Sequence, residues 1–194
     1  MAASTARLDG VRYVDPLRQG DLSNLCGLYS VLNAVRLACW RVPPTEDQLR
    51  ALLQFGLRYL IKRRALARVV ESGMHQGLWV ELGTALINHA NDLLGTSLSL
   101  QPLPHGQNRP RSESAHETCE MLKEALRERY PVVLGLGGAL DHYTVLAGYS
   151  EHRFSLFDSS GLFWIEQKSI GLSEHCGKRH WIYFGSPRAV VDTW

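Results

Sequence analysis

Hydrophobic residues recur at helical spacing through the first half of the chain. After a polar loop, Cys26 opens a segment whose apolar side chains return to one side, as in a buried helix: Leu28, Val31, Leu32, Val35 and Leu37. This helix is expected to end before residues 42–44, which include two prolines. Thr45 with Gln48 three residues later is a capping-box pattern, which predicts a second helix through about Phe55.

Three further helices and one early strand are predicted before residue 130. A third helix is expected over about 57–70, and a fourth is expected to end at Leu94 and Gly95. The alternating stretch "TSLSLQPL" predicts a short strand, and no strand is expected before it. The polar stretch "PHGQNRPRSES" predicts a loop, after which Ser114 or Ser112 caps a fifth helix through about Arg129.

From Pro131 onward the pattern changes to short alternating runs divided by glycine and polar turns. These runs are "PVVLGL", "HYTVLAGY", "RFSLFDS", "GLFWIEQ" and "HWIYFG", and they predict a mostly antiparallel sheet. Helices followed by strands are typical of an α+β domain. We expect a single domain over 1–194, with a helical lobe at about 20–130 packed against a sheet lobe at about 131–194.

The composition and charge of the chain indicate which kinds of binding partner are expected. Hydrophobic residues make up 45% and charged residues 21%, which are ordinary globular values. The apolar runs are shorter than the roughly 18 residues that a membrane span needs, so no integral membrane segment is expected. A net charge of +2 is too small to indicate nucleic-acid binding. The basic stretch "RYLIKRRALAR" could contact an acidic partner or a membrane surface, although a solvated helix face is the simpler interpretation.

The N-terminal sequence "MAASTARLDG" lacks the apolar core of a secretory signal. We therefore expect a cytoplasmic location, or export without a classical signal peptide. The four cysteines stand far apart, form no CxxC pair and are expected to be reduced: Cys26, Cys39, Cys119 and Cys176.

Cys26 differs from the other cysteines because it lies where a polar loop meets the start of a helix. The free N–H groups and the dipole at a helix N-terminus stabilise a thiolate. The preceding loop and the amide of Gln19 could donate hydrogen bonds to an oxyanion. The alternative is that Cys26 is a small hydrophobic residue on a buried helix, since cysteine is among the most buried residue types.

A cysteine nucleophile needs a base and a group that orients the base. His142 enters a predicted strand directly after "GLGGALD", and Asp158 ends the next apolar run, so adjacent hairpin strands would bring the two together. Either could instead be structural, as a strand-end histidine bonded to a carbonyl or an aspartate in an ordinary turn. Asp141 is a weaker candidate because it would point to the opposite face of the strand.

A metal site is a further alternative near the C-terminus. His175 and His180 flank Cys176, but no second pair of ligands stands at a zinc-like spacing. We expect neither a metal nor a cofactor.

The order of Gln19, Cys26, His142 and Asp158 resembles that of the papain-like cysteine peptidases. The closest likeness is to the peptidase domains that remove leader peptides from bacteriocin precursors at double-glycine sites. "QGDLSNLCGLYSVLNA" is similar to their glutamine, polar loop, cysteine followed by glycine, and helix. "GLWVELGTALINHANDLLG", "YPVVLGL", "DHYTVLAGY" and "FSLFDSSG" are similar to their later helix and core strands. The family usually has aspartate where Leu25 stands and commonly has proline where Ser159 stands.

The resemblance implies a papain-like fold, with Cys26 as nucleophile, His142 as general base, Asp158 as the orienting group and Gln19 as oxyanion donor. The expected reaction is hydrolysis of a peptide or isopeptide bond in a peptide or protein, through a thioester. Two alternatives stay open. The same residues could serve a transamidase or a glutamine deamidase, for example a secreted effector, or the protein could be a silent papain-like module that binds a peptide without cleaving it. The oligomeric state is not indicated.

Overall fold

The computed structural model describes residues 5–20, 24–103, 114–171, 177–182 and 188–192. Within them the helices are α1 (Cys26–Ala38), α2 (Glu46–Lys62), α3 (Leu66–Ser72), α4 (Gln76–Leu94) and α5 (Ala115–Arg127). The strands are β1 (Ala6–Arg7), β2 (Leu98–Pro102), β3 (Val132–Gly138), β4 (His142–Tyr149), β5 (Arg153–Leu156), β6 (Trp164–Glu166), β7 (Ile170–Gly171), β8 (His180–Ile182) and β9 (Arg188–Asp192). Five helices and a mostly antiparallel sheet confirm the predicted α+β class.

The sheet is built around an antiparallel run of β3, β4, β5 and β6. Its main order is β2-β9-β3-β4-β5-β6, while β1 pairs with β4 and β8 pairs with β3. Among the described strands, the parallel pair is β7 with β8. β4 is buried along its whole length and carries His142 as its first residue.

Helix α1 packs against β3, β4 and β9 and is also contacted by α2 and α4. Most of its residues are buried, among them the polar Ser30 and Asn33, because protein surrounds it on most sides. Its close approach to α2 depends on Gly56, where an added Cβ would lie 2.5 Å from Leu28 Cδ1. The packing of α1 on β4 places the N-terminus of α1 beside the start of β4.

The predicted helix ends are confirmed where capping chemistry determines them. The side chain of Thr45 accepts from the Gln48 N–H and Gln48 bonds back to Thr45 N, so the capping box is complete. Ser114 forms the same motif at the start of α5. Gly95, in the left-handed conformation with φ 66°, ends α4.

The predicted boundary between the second and third helices is wrong. α2 continues through Gly56, because this glycine provides the contact with α1, and runs to Lys62. The break comes at Arg64, which has φ 52°. There the Ala65 N–H bonds back to Leu60 O at 2.9 Å, a turn that ends a helix.

Three strands were not predicted: β1, β7 and β9. β7 is two residues long and pairs in parallel with β8. β1 is two residues long and pairs with the end of β4. β9 carries a short apolar run, yet it lies between β2 and β3. β2, from the predicted helical lobe, therefore belongs to the sheet. The stretches 104–113, 172–176 and 183–187 lie outside the described residues. The loop predicted from residue 104 onward and Ser112 fall in the first stretch, and His175 and Cys176 fall in the second, so these predictions are not compared with the structure.

None of the helices in the described part of the chain combines the length and hydropathy that crossing a bilayer requires.

Candidate active site

Cys26 is the first residue of α1, and its helix N-terminus carries no capping side chain. Leu25 occupies the N-cap, and no acidic residue lies in the first turn. The first backbone hydrogen bonds come from Leu28 and Tyr29, which donate to Leu25 O at 2.9 and 3.0 Å. The N–H groups of Cys26 and Gly27 lie before the first residues that donate within the helix. Together with the helix dipole, they favour negative charge at the start of α1.

Trp79 of α4 holds the first turn of α1 in place. Trp79 Nε1 donates to Gly27 O at 2.9 Å, and the Trp79 ring stacks on Tyr143 with ring centroids 5.4 Å apart. A Cβ on Gly27 would lie 3.1 Å from Trp79 Cδ1 and 3.3 Å from Tyr143 Cδ2. The glycine after the cysteine thus lets the indole close over the start of the helix and fixes Cys26 relative to β4.

His142 and Asp158 meet as the sequence predicted, because β4 and β5 are paired. His142 begins β4, and Asp158 follows the end of β5. His142 Nε2 lies 2.6 Å from Asp158 Oδ2, and both side chains are buried. The other carboxylate oxygen, Oδ1, accepts from the N–H groups of Ser160 at 2.8 Å and Leu162 at 3.3 Å. Both oxygens of Asp158 are therefore held.

The Cys26 side chain lies beside the His142 imidazole, close enough to raise its pKa. Because Nε2 is bonded to Asp158, Nδ1 is the ring nitrogen left for the sulfur. Burial disfavours the imidazolium, but the hydrogen bonds to Asp158 and Cys26, together with their negative charge, raise the pKa of His142 to about 9. The imidazole therefore stays protonated through neutral pH.

Burial would raise the pKa of Asp158, but the hydrogen bond from His142 outweighs it and lowers that pKa. The Thr144 side chain and the Ser160 N–H act in the same direction. Burial and the charges at Cys26 and Asp141 raise the pKa of the Tyr143 hydroxyl. At neutral pH the site therefore holds a carboxylate against an imidazolium, with a neutral phenol beside them.

Gln19 lies against the turn that follows Asp158. Its backbone N–H donates to Ser159 O at 3.1 Å, and its side-chain amide lies 2.9 Å from Ser160 Oγ. The neighbouring Arg18 Nη1 donates to Asp158 O at 3.3 Å. The loop before α1 is thus attached to the turn that carries Asp158, and the four predicted residues fall into one region.

A cleft of about 520 Å³ opens beside Cys26. Asn24 and Cys26 form one side, residues 71–76 a second, and Asp141 and Tyr143 a third. Asn24 Nδ2 donates to the carbonyls of Val70 and Glu71, each at 3.0 Å, which ties the loop before Cys26 to the end of α3. The volume falls in the range of sites that bind small ligands or side chains.

Asp141 lines this cleft rather than supporting His142. Its φ is 43°, a left-handed conformation that is uncommon for residues other than glycine. The carboxylate bonded to His142 belongs to Asp158. The preference for Asp158 over Asp141 therefore agrees with the observed contact.

Two residues that hold the start of α1 and the loop before it were not singled out in the sequence: Trp79 and Asn33. Trp79 stands among apolar residues of α4, and Asn33 interrupts the apolar face of α1. Asn33 is fully buried and holds Leu17 through its side chain, with Leu17 N 2.7 Å from Oδ1. A buried asparagine inside an apolar pattern was the signal that could have identified this contact.

The remaining cysteines and histidines that the structure describes take other positions. Cys119 is buried in α5, and burial raises its pKa. His75 caps α4 by accepting from the Leu78 N–H at 3.3 Å, and His180 is buried on β8. Among the described residues, no group of three or more His, Cys, Asp or Glu side chains is arranged to hold a metal ion.

Comparison with protein-family models, curated proteins and solved structures finds no match for this chain. A function for this site therefore has to be argued from its own geometry.

Proposed function

We propose that the protein is a papain-like cysteine hydrolase that cleaves amide bonds in peptides or proteins through a thioester intermediate. One observation carries this proposal: His142 lies between the side chain of Cys26 and the carboxylate of Asp158, to which it is bonded at 2.6 Å. A cysteine that served only to pack would not need a charged, oriented imidazole beside it. Nucleophile, base and orienting group in contact are what acyl transfer by a thiol requires.

In the first half of the reaction, the Cys26 thiolate attacks the carbonyl carbon of the substrate. The electron pair of the C=O bond moves to the oxygen, and the His142 imidazolium then donates the Nδ1 proton to the leaving nitrogen. The C–N bond breaks, the amine departs and a thioester remains on Cys26. The raised pKa of His142 supports this step because it keeps the proton in place at neutral pH.

In the second half, the neutral imidazole of His142 takes a proton from water as the water oxygen attacks the thioester. The C–S bond breaks, the acid leaves and the thiolate–imidazolium pair is restored. Asp158 holds the ring through Nε2 in both halves, so that Nδ1 stays directed at the sulfur.

The N–H groups at the start of α1 and the Gln19 amide are the proposed oxyanion donors. Gln19 Oε1 is buried and has no hydrogen-bond partner among the described residues, while Nε2 faces Ser160 Oγ. The two ends of a carboxamide are distinguished by their partners. If the amide is turned over, the Ser160 hydroxyl donates to Oε1 and the Nε2 protons take the position without a partner. That orientation suits an oxyanion donor.

The experiment is to incubate the purified protein with a proteome-derived peptide library and identify the products by mass spectrometry. The expected result is new peptide termini, produced by the native protein and absent with Cys26→Ser. Added lysine in the reaction tests the transferase alternative, since an amine acceptor would give lysine adducts. Conversion of glutamine to glutamate at unbroken peptides would indicate the deamidase.

A general effect of replacing a thiol is controlled by Cys39→Ser, which removes a thiol outside the cleft and should leave the products unchanged. Products of a contaminating protease would persist with Cys26→Ser. If the native protein and Cys26→Ser give the same peptides, hydrolysis by this site is wrong. Retention of peptides by both proteins without any product would identify a binding module.

A further inference from the structure

We propose that another cavity, separate from the Cys26 cleft, binds a carboxylate carried on an aliphatic chain. It has a volume of about 520 Å³ and lies between the loop before α1, one side of α1 and the first half of α2. It shares no lining residue with the cleft at Cys26. The inference is therefore independent of the proposed hydrolase.

Aliphatic side chains make up half of the residues that line the cavity. They are Leu17, Leu32, Leu49, Leu53 and Pro44, with the ring of Tyr29 beside them. Leu17 and Leu53 are only partly buried, so they present apolar surface to whatever enters. A hydrocarbon chain would cover this surface and gain the free energy of its burial.

The wall is held in place before any ligand binds. Asn33, which is fully buried, accepts from Leu17 N at 2.7 Å and donates to Leu17 O at 3.2 Å. The capping box of Thr45 and Gln48 fixes the first turn of α2. A preformed wall lowers the conformational entropy that a ligand must remove on binding.

The polar rim of the cavity is positively charged. Arg18, Arg36 and Arg50 line it, and the carboxylate among its lining residues is Glu46, which lies 3.6 Å from Arg50. Arg18 is engaged with Asp158 O at 3.3 Å. Arg36 is different because its Nε is buried and has no hydrogen-bond partner among the described residues.

The Arg36 side chain is only partly buried and lines the cavity, where a carboxylate would accept a charge-assisted hydrogen bond from the guanidinium. The N-terminus of α2 lies at the same cavity and adds the positive end of its dipole. Aliphatic walls beside the Arg36 guanidinium fit a single anionic head on a hydrocarbon body better than a ligand that carries several phosphates. The shared chemistry is that of a free aliphatic acid or of a peptide C-terminus with an apolar last residue.

The test is a titration of protein with labelled leucine methyl groups, followed by NMR at constant ionic strength. Sodium octanoate should shift the methyl resonances of Leu49 and Leu53 and should bind about tenfold or more tightly than octanol. Arg36→Gln should abolish that preference. Arg58→Gln, an exposed arginine of α2 outside the cavity, should leave it unchanged.

Comparing N-acetyl-leucine with octanoate identifies the source of the carboxylate, and N-acetyl-leucinamide is the neutral control for N-acetyl-leucine. Tighter binding of N-acetyl-leucine than of octanoate assigns the cavity to peptide ends, and weaker binding assigns it to free acids; either result supports the carboxylate site. Equal affinities for octanoate and octanol in the native protein would overturn the proposal, whether or not Arg36→Gln folds. Cys26→Ser should bind octanoate as the native protein does, so failure of the hydrolase proposal leaves this result unaffected.

Discussion

At the scale of single residues, the charge on His142 is the property on which the site depends. Burial alone would make this imidazole neutral, and the bonds to Asp158 and Cys26 reverse that effect. The carboxylate in turn is held by the N–H groups of Ser160 and Leu162, so it cannot rotate away without losing both bonds. Removing the Asp158 carboxylate should therefore lower the pKa of His142 while the fold is retained.

NMR titration of the His142 ring should give a pKa near 9 in the native protein. Asp158→Asn should lower it substantially, because it removes both the acceptor and its charge. Cys26→Ser should lower it less, since Asp158 remains. A native pKa close to the ordinary histidine value of about 6.5, unchanged in Asp158→Asn, would contradict the described contacts.

Gln19 should matter for acylation and not for alkylation. Acylation of Cys26 by p-nitrophenyl acetate develops an oxyanion, whereas alkylation by iodoacetamide does not. Gln19→Ala is expected to slow acylation about 100-fold and to leave alkylation nearly unchanged, both measured by intact-protein mass spectrometry. Ser160→Ala should slow acylation less, because Ser160 only positions the amide.

The matched control for this experiment is Gln101→Ala, an exposed glutamine on β2. It should change neither rate. Equal losses of acylation and alkylation in Gln19→Ala would mean that Gln19 supports the loop rather than the oxyanion.

At the scale of elements, the position of α1 depends on how closely it approaches α4 and β4. Gly27 permits that approach, since its backbone lies directly beneath Trp79 and Tyr143. The stacked rings leave little room to move, so even one methyl group has to displace them.

Gly27→Ala should lower the free energy of unfolding by about 1–2 kcal/mol, because the strain of overpacking exceeds the gain in helix propensity. Gly77→Ala, the same change in the first turn of α4, meets only ordinary contacts at 3.4 Å and should be neutral or stabilising. Chemical denaturation of both variants measures the difference. Destabilisation of Gly77→Ala as large as that of Gly27→Ala would show that crowding at Gly27 is not the cause.

The sequence predicted those elements whose ends are set by local chemistry. The Thr45 and Ser114 capping boxes and the left-handed Gly95 are examples, since short-range contacts define them. It did not predict the continuation of α2 through Gly56, because only the approach of Leu28 from α1 explains a glycine there. Nor did it predict β9, whose short apolar run becomes a strand through pairing with β2 and β3.

For the site, the sequence indicated the four residues in their order but not what fixes them. Pairing of adjacent strands was sufficient to place His142 beside Asp158. The contacts of Trp79 with Gly27 and of Asn24 with the end of α3 join distant parts of the chain, and no spacing rule encodes them.

At the scale of the whole molecule, the buried ion pair ties stability to pH. The pKa of His142 is raised on folding, so its contribution is complete below the unfolded value of about 6.5 and is lost as the pH rises through about 9. The pKa of Asp158 is lowered, so its contribution is present above its unfolded value and is lost as the pH falls through the folded one. The pair therefore stabilises the folded protein most at pH values above the unfolded pKa of Asp158 and below the unfolded pKa of His142.

The free energy of unfolding of the native protein, relative to that of Asp158→Asn, should fall between pH 6.5 and 9. The decrease should approach about 3 kcal/mol if the full shift of His142 depends on the pair. Urea denaturation at several pH values measures it. A difference between the two proteins that stays constant over this range would show that His142 does not change its protonation on folding.

The most direct test of the catalytic proposal is the pH dependence of Cys26 alkylation by iodoacetamide, followed at each cysteine by peptide mass spectrometry. The expected result is rapid labelling of Cys26 at about pH 5–6, lost in His142→Ala, because a thiolate paired with an imidazolium reacts where an ordinary thiol does not. Slow labelling that follows an ordinary thiol titration, or labelling that does not depend on His142, would contradict the assembled nucleophile.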